Sequence, residues 1–116
     1  LQQLCKAKEI YNVGVLTLKL GTAAIKDQAW KNENAKKVVA SRDRLISSLQ
    51  KLNWRVSASE TNFIFAAPAD GDSKSEYENL KEKGIFVRYF KEKEMLRITV
   101  GTDEQNQVLL DSIRTL

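Results

Sequence analysis

Histidine is absent from this 116-residue chain, and cysteine, methionine and proline occur once each, as Cys5, Met95 and Pro68. Without an imidazole no Ser–His or Cys–His nucleophile can be assembled, and a metal site of the zinc type loses its commonest ligand. The lone thiol cannot close an internal disulfide and stands in no metal-ligand spacing, as expected in a reducing compartment. No apolar run approaches the roughly 18–20 residues that span a bilayer. The start Leu1-Gln2-Gln3-Leu4 has no basic region followed by an apolar stretch, so no membrane partner is expected and a cytoplasmic location is. A chain opening on leucine rather than methionine is expected of an excised or processed piece.

What is present points to a folded domain. Hydrophobic residues make up 42% and charged residues 29%, a balance that favours collapse into a globule over disorder. A chain of this length can bury a core without disulfides or metal, so one domain over 1–116 is expected. The formal charge of +4 permits an acidic partner, yet the cations are dispersed among acids and mark no nucleic-acid stripe.

Two arginines carry the most informative pattern. Ile85-Phe86-Val87-Arg88-Tyr89-Phe90 and Met95-Leu96-Arg97-Ile98-Thr99-Val100 both alternate with period two, and the polar Lys91-Glu92-Lys93-Glu94 between them reads as a hairpin loop. Pairing Phe90 with Met95 sets Tyr89 against Leu96, Val87 against Ile98 and Ile85 against Val100, one continuous apolar face. The same register sets Arg88 against Arg97, and a slip of one residue would break the apolar face. Like charges directly across a sheet repel by roughly 0.2–1 kcal/mol. The pair therefore asks for a small anion, a carboxylate or phosphate, which arginine grips with two parallel hydrogen bonds. The plainer alternative is two guanidiniums projecting into water from a solvated face.

Upstream, 13–28 is predicted helical, with Asn12 as N-cap and Val13, Val15, Leu16, Leu18, Leu20, Ala23, Ala24 and Ile25 spread round the cylinder. Such a helix needs cover on more than one side. The cover is either a partner surface, from another domain or a second subunit, or the domain's own core with helix packed on sheet. A second helix, from Trp30 to about Leu52, carries Val38, Val39, Leu45, Ile46, Leu49 and Leu52 at spacings of three and four. Its basic outer face is Lys31, Lys36, Lys37, Arg42 and Arg44. Two short strands follow, Trp54–Ser57 and Asn62–Ala66, the second ended by Pro68 to Gly71. Ser73 with Glu76 matches a capping box for a helix over Tyr77, Leu80 and Lys83 that Gly84 terminates. Thr102 with Gln105 matches another, for a last helix whose inward stripe is Val108, Leu109, Ser112, Ile113 and Leu116. The order α-α-β-β-α-β-β-α describes an α+β domain, with helices on one face of a small, mostly antiparallel sheet and Arg88 and Arg97 on the other.

The stretches Tyr11-Asn12-Val13, Ser59-Glu60-Thr61-Asn62-Phe63 and Gly84-Ile85-Phe86-Val87-Arg88, and above all Leu96-Arg97-Ile98-Thr99-Val100-Gly101-Thr102, carry a family likeness. Taken in order, they resemble the C-terminal part of the histidinol-phosphate aminotransferases, which are pyridoxal-phosphate-dependent enzymes of fold type I. The resemblance implies a small C-terminal domain of a longer, homodimeric parent whose large domain carries the Schiff-base lysine and most groups holding pyridoxal 5'-phosphate. No lysine of this chain is expected to stand in the Ser-Lys context the family uses, so the piece alone is expected to supply no catalytic residue, bind no cofactor and not transaminate. The implied reaction passes an amino group from histidinol phosphate to 2-oxoglutarate, giving imidazole acetol phosphate and glutamate in histidine biosynthesis. By the same likeness Arg97 clamps the substrate carboxylate and Arg88 meets the phosphate side. Tyr11 and Asn12 would lie near the mouth of the site, unless Asn12 serves only as a helix cap. Ile10 departs from the family's usual proline, and the short loop between the arginines bears on the role of Arg88.

Two readings of other classes compete. One is a small basic module that binds RNA on a sheet face displaying Arg88, Phe90 and Arg97, for which only Phe86 and Phe90 offer stacking surfaces. The other is a regulatory domain that senses an amino acid and would be stabilised thermally by it.

Overall fold

The computed structural model describes residues 13–113. Two compact units are present, Leu1–Glu33 and Asn34–Leu116.

In the first unit, helix α1 runs Val15–Lys26 with Gly14 at its N-cap and no side-chain cap. The helix thus starts later than predicted, and the expected cap Asn12, with Tyr11, lies outside the described residues. Asp27 explains the other end. Its N–H bonds back to the Ala23 and Ala24 carbonyls, closing α1, while its carboxylate accepts from the N–H of Trp30 at 3.1 Å. One residue therefore stops one helix with its backbone N–H and starts the next with its carboxylate. No residue of α1 is buried, and Leu16 and Ile25 are 71% and 74% exposed.

Helix α2 runs Gln28–Lys51 and buries Ser41, Arg42, Leu45 and Leu49. Val39 and Leu52, placed on the inward stripe by spacing, are exposed, and Arg42, assigned to the basic outer face, is buried. Asn53 takes a left-handed φ of 61° at the exit and Trp54 N–H returns to the Leu49 carbonyl. Strands β1 (Arg55–Val56) and β2 (Phe63–Ala67), helix α3 (Ser73–Glu82), strands β3 (Arg88–Phe90) and β4 (Met95–Thr99), and helix α4 (Asp103–Ser112) follow. A single 3-10 turn, Lys91–Lys93, with Glu94 left-handed at φ 48°, closes the β3–β4 hairpin.

The sheet order is β1-β2-β4-β3, antiparallel at every pairing. The hairpin register is the one the apolar alternation demands: Phe90 with Met95, Tyr89 with Leu96, Arg88 with Arg97. Ile85–Val87 stay outside the ladder. Gly84, at φ 76°, ends α3, and the N–H of Ile85 is still bonded to the Leu80 carbonyl, so the chain joins β4 only at Arg88. Ile64, Ala66, Leu96 and Ile98 line one sheet face and pack on Leu45, Leu49, Leu80, Leu109 and Ile113, with Val87 and Tyr89 at the rim. Each such fully buried aliphatic side chain contributes about 1.5–3 kcal/mol.

The two caps come out differently. Thr102 and Gln105 form the reciprocal capping box at α4. At α3 the cap is Asp72, which accepts from Ser75 N–H; Ser73 instead donates its hydroxyl to the Glu94 carbonyl at 2.9 Å, and Glu76 is buried. On α4, Leu109 and Ile113 face inward as expected, while Val108 is 56% exposed and Leu116 lies outside the described residues.

Candidate functional site

Side chains alternate along a strand, so the residues paired between the core positions share the opposite face. That face holds Phe63 and Phe65 of β2, Met95 and Arg97 of β4, and Arg88 and Phe90 of β3, with Phe65 and Arg88 flanking Arg97. Each cation lies over a phenyl ring: the Arg97 guanidinium carbon is 5.1 Å from the Phe63 centroid, that of Arg88 is 4.9 Å from Phe90, and Lys93 Nζ is 4.8 Å from Phe65. The rings pack edge to face, Phe63 to Phe65 at 5.9 Å and Phe65 to Phe90 at 5.3 Å. A cation over a ring face gains about 0.5–2 kcal/mol, which offsets the repulsion between the two guanidiniums and fixes where each one points.

Among the described residues neither Arg88 nor Arg97 has a carboxylate partner, whereas Arg42 and Arg44 are ion-paired. Arg97 Nε is fully buried and has no hydrogen-bond partner. Glu94, at the end of the hairpin, is turned away: Tyr89, on the core side of β3, donates its hydroxyl to Glu94 Oε2 at 2.7 Å. That hydrogen bond, helped by burial, pushes the Tyr89 phenol up to about 12. Glu94, the acid at the end of the hairpin, is thereby engaged by Tyr89.

The corner after β4 is rigid. Asn106 accepts from Gly101 N–H at 3.0 Å and donates to Ser41 Oγ at 2.9 Å, while Ser41 donates to the Gly101 carbonyl at 3.0 Å. Beside it Arg44 meets Asp103 at 2.6 Å, which holds the Asp103 carboxyl below its ordinary value. Two open grooves of the second unit lie along α4, one against Gly84–Val87 and one against α2.

Arg88 and Arg97 thus stand together as the spacing requires. Sequence pattern alone offers Phe86 and Phe90 to this face; the fold adds Phe63 beneath Arg97 and Phe65 beneath Lys93. The two-residue spacing of the phenylalanines was the legible signal, but the β2–β4 register that brings them beside Arg97 was not. Phe86 is 84% exposed and outside the ladder. Phe63, Phe65 and Phe90 already carry a cation over one face, unlike the free platforms on which bases stack.

A family model described as aminotransferase class I and II matches residues 1–113. Histidinol-phosphate aminotransferase 1 of Nostoc sp. is 48% identical over 119 residues, covering 100% of this chain and 34% of that protein. The histidinol-phosphate aminotransferase of Clostridium beijerinckii is 40% identical over 107 residues, covering 90% and 30%. In three dimensions, a Burkholderia pseudomallei structure described as a candidate aminotransferase superposes with a TM-score of 0.81 at 28% identity, over 96% of this chain and 35% of that one. The histidinol-phosphate aminotransferase of Clostridium acetobutylicum, at 21% identity, shares the fold with a TM-score of 0.68 over 76% of this chain and 28% of its own. The chain spans about a third of the length of the curated relatives it matches.

Proposed function

This chain belongs to the class I and II aminotransferase family, and from that membership we propose that it is the substrate-anion-binding part of a longer, homodimeric aminotransferase acting on histidinol phosphate and 2-oxoglutarate. The observation that carries the proposal is Arg97: a guanidinium seated on Phe63, across from Arg88, with no acid paired to either among the described residues. Its planar fork matches a carboxylate, and Arg88, more exposed at the sheet edge, serves the phosphate end of the larger substrate. Two unlike anions must use one site in such an exchange, and fixed guanidiniums serve both by aligning the reacting amine from a distance.

Pyridoxal phosphate supplies the electron sink for amino-group exchange in this family. The described residues do not by themselves fit it, because the cationic face offers no carboxylate to pair with a pyridine nitrogen. Contrary to the expectation that no lysine stands in a Ser-Lys context, Ser73-Lys74 is such a pair, but it forms the first turn of α3, with Ser73 buried against the hairpin and Lys74 exposed. Cofactor seat and catalytic lysine are therefore assigned to the remainder of the full-length protein, which also covers the apolar surface of α1.

The test uses the full-length protein with pyridoxal phosphate, following glutamate formation from histidinol phosphate and 2-oxoglutarate. Turnover is expected there and none from the 116-residue piece. A full-length protein that transaminates other amino donors but not histidinol phosphate would overturn the substrate assignment.

A further inference from the structure

We infer that Arg42, buried on α2 and remote from the cationic face, is a positioning residue that sets the seat of Arg97. Its side chain is only 7% exposed, a costly place for a charge unless its contacts matter. Nη1 donates to the carbonyl of Thr61 at 3.3 Å, Nε meets Asp43 at 3.3 Å, and Nη2 lies 3.9 Å from Glu60. Arg42 thus grips the turn that leads into β2.

That turn leads directly to the ring under Arg97. Thr61 Oγ1 accepts from Phe63 N–H at 3.3 Å and donates to the Phe63 carbonyl at 3.0 Å, while Ser59 Oγ donates to the same carbonyl at 2.6 Å. Next to it the Asn62 carbonyl accepts from Val100 N–H at 2.9 Å, joining the turn to the end of β4. Both main-chain groups of Phe63 are therefore fixed by the turn that Arg42 holds, and the Phe63 ring lies 5.1 Å from the Arg97 guanidinium. A shift of the turn moves the ring, and the guanidinium follows its perch.

The inference rests on the assignment of Arg97 as an anion clamp, and the experiment separates the two. Succinate, a dicarboxylate that cannot react, is titrated calorimetrically into the full-length protein and its variants, with KM and kcat measured in parallel. Arg42→Gln should weaken succinate roughly tenfold, below the roughly hundredfold that a 1 Å misplacement of a working group can cost. KM for the anionic substrate should rise while kcat holds, and Arg42→Lys, which restores one donor to the Thr61 carbonyl, should recover part of the affinity. A purely structural role would lower the melting temperature and leave succinate affinity and KM unmoved, which would overturn the inference. If Arg42→Gln does not fold, Phe63→Leu tests the next link: it must weaken succinate similarly, and an unchanged affinity overturns the proposal. A wild-type protein that binds no succinate would sink both the clamp and its positioning. One that binds succinate without transaminating would sink the enzymatic assignment alone, and the Arg42 variants would still decide theirs.

Discussion

Replacing Arg97 by lysine keeps the charge and removes the fork. The guanidinium offers a carboxylate two parallel hydrogen bonds, whereas an ammonium at the end of a flexible stem acts as a point charge. One charge-assisted hydrogen bond left unmade costs about 1.5–3 kcal/mol. The seat on Phe63, at 5.1 Å, adds a fraction of the about 0.5–2 kcal/mol typical of a cation over a ring, because lysine keeps part of it. The expected loss is about 2–3 kcal/mol, or roughly 30- to 150-fold in kcat/KM for the carboxylate substrate. Folding should change little, because Arg97 Nε makes no hydrogen bond whose loss would be felt. The assay is steady-state kinetics on the full-length protein, with the melting temperature as control. A kcat/KM within about threefold of wild type, under 1 kcal/mol, with the fold intact would refute the clamp.

Stability can be probed separately. Leu96→Ala, at a site with no solvent exposure in the middle of the core, should destabilise by about 2–5 kcal/mol, read as a fall in the urea midpoint at unchanged slope. In Gly101→Ala the new Cβ would come within 2.7 Å of Gln105 Oε1 and 2.9 Å of Gln105 Cβ. Gln105 must then release the Thr102 N–H, and loss of the capping box should cost about 1 kcal/mol, visible as a lower melting temperature. Asp103 is held below its ordinary value of 3.8, chiefly by its hydrogen bond from Arg44. A carboxyl depressed in the folded state favours folding above its unfolded value, and that contribution fades as pH falls through the folded value. The melting temperature should therefore drop on acidification below about pH 4 less steeply in Asp103→Asn than in wild type, and identical slopes would exclude a contribution from this pair.

The sheet and its register were legible because a single physical constraint dominates them. With period two, only one alignment buries Tyr89, Leu96 and Ile98 together, and it necessarily sets Arg88 against Arg97. Thr102 and Gln105 were equally readable, a local motif with no competitor. At α3 two acceptors adjoin, Asp72 and Ser73, and the choice is made by contact with the hairpin, where the Glu94 carbonyl claims the Ser73 hydroxyl. No local pattern contains that fact. Arg42 was misplaced for the same reason: in sequence it stands among cations on a charged helix, while its partner Thr61 comes from a turn that only the folded chain brings near. The phenyl seats beneath the cations needed the pairing of β2 with β4, a long-range register that period alone does not supply.

Those seats have a thermodynamic corollary. A free arginine side chain loses up to about 2 kcal/mol of rotamer freedom when it is immobilised. Because Arg97 and Arg88 already rest on Phe63 and Phe90, that ordering is completed as the domain folds, and little of it is left for the moment of encounter. On the proposed anion-clamp reading, an incoming anion meets forks already aimed, so discrimination turns on shape: flat groups with two equivalent oxygens engage both prongs, whereas a spherical halide engages neither well.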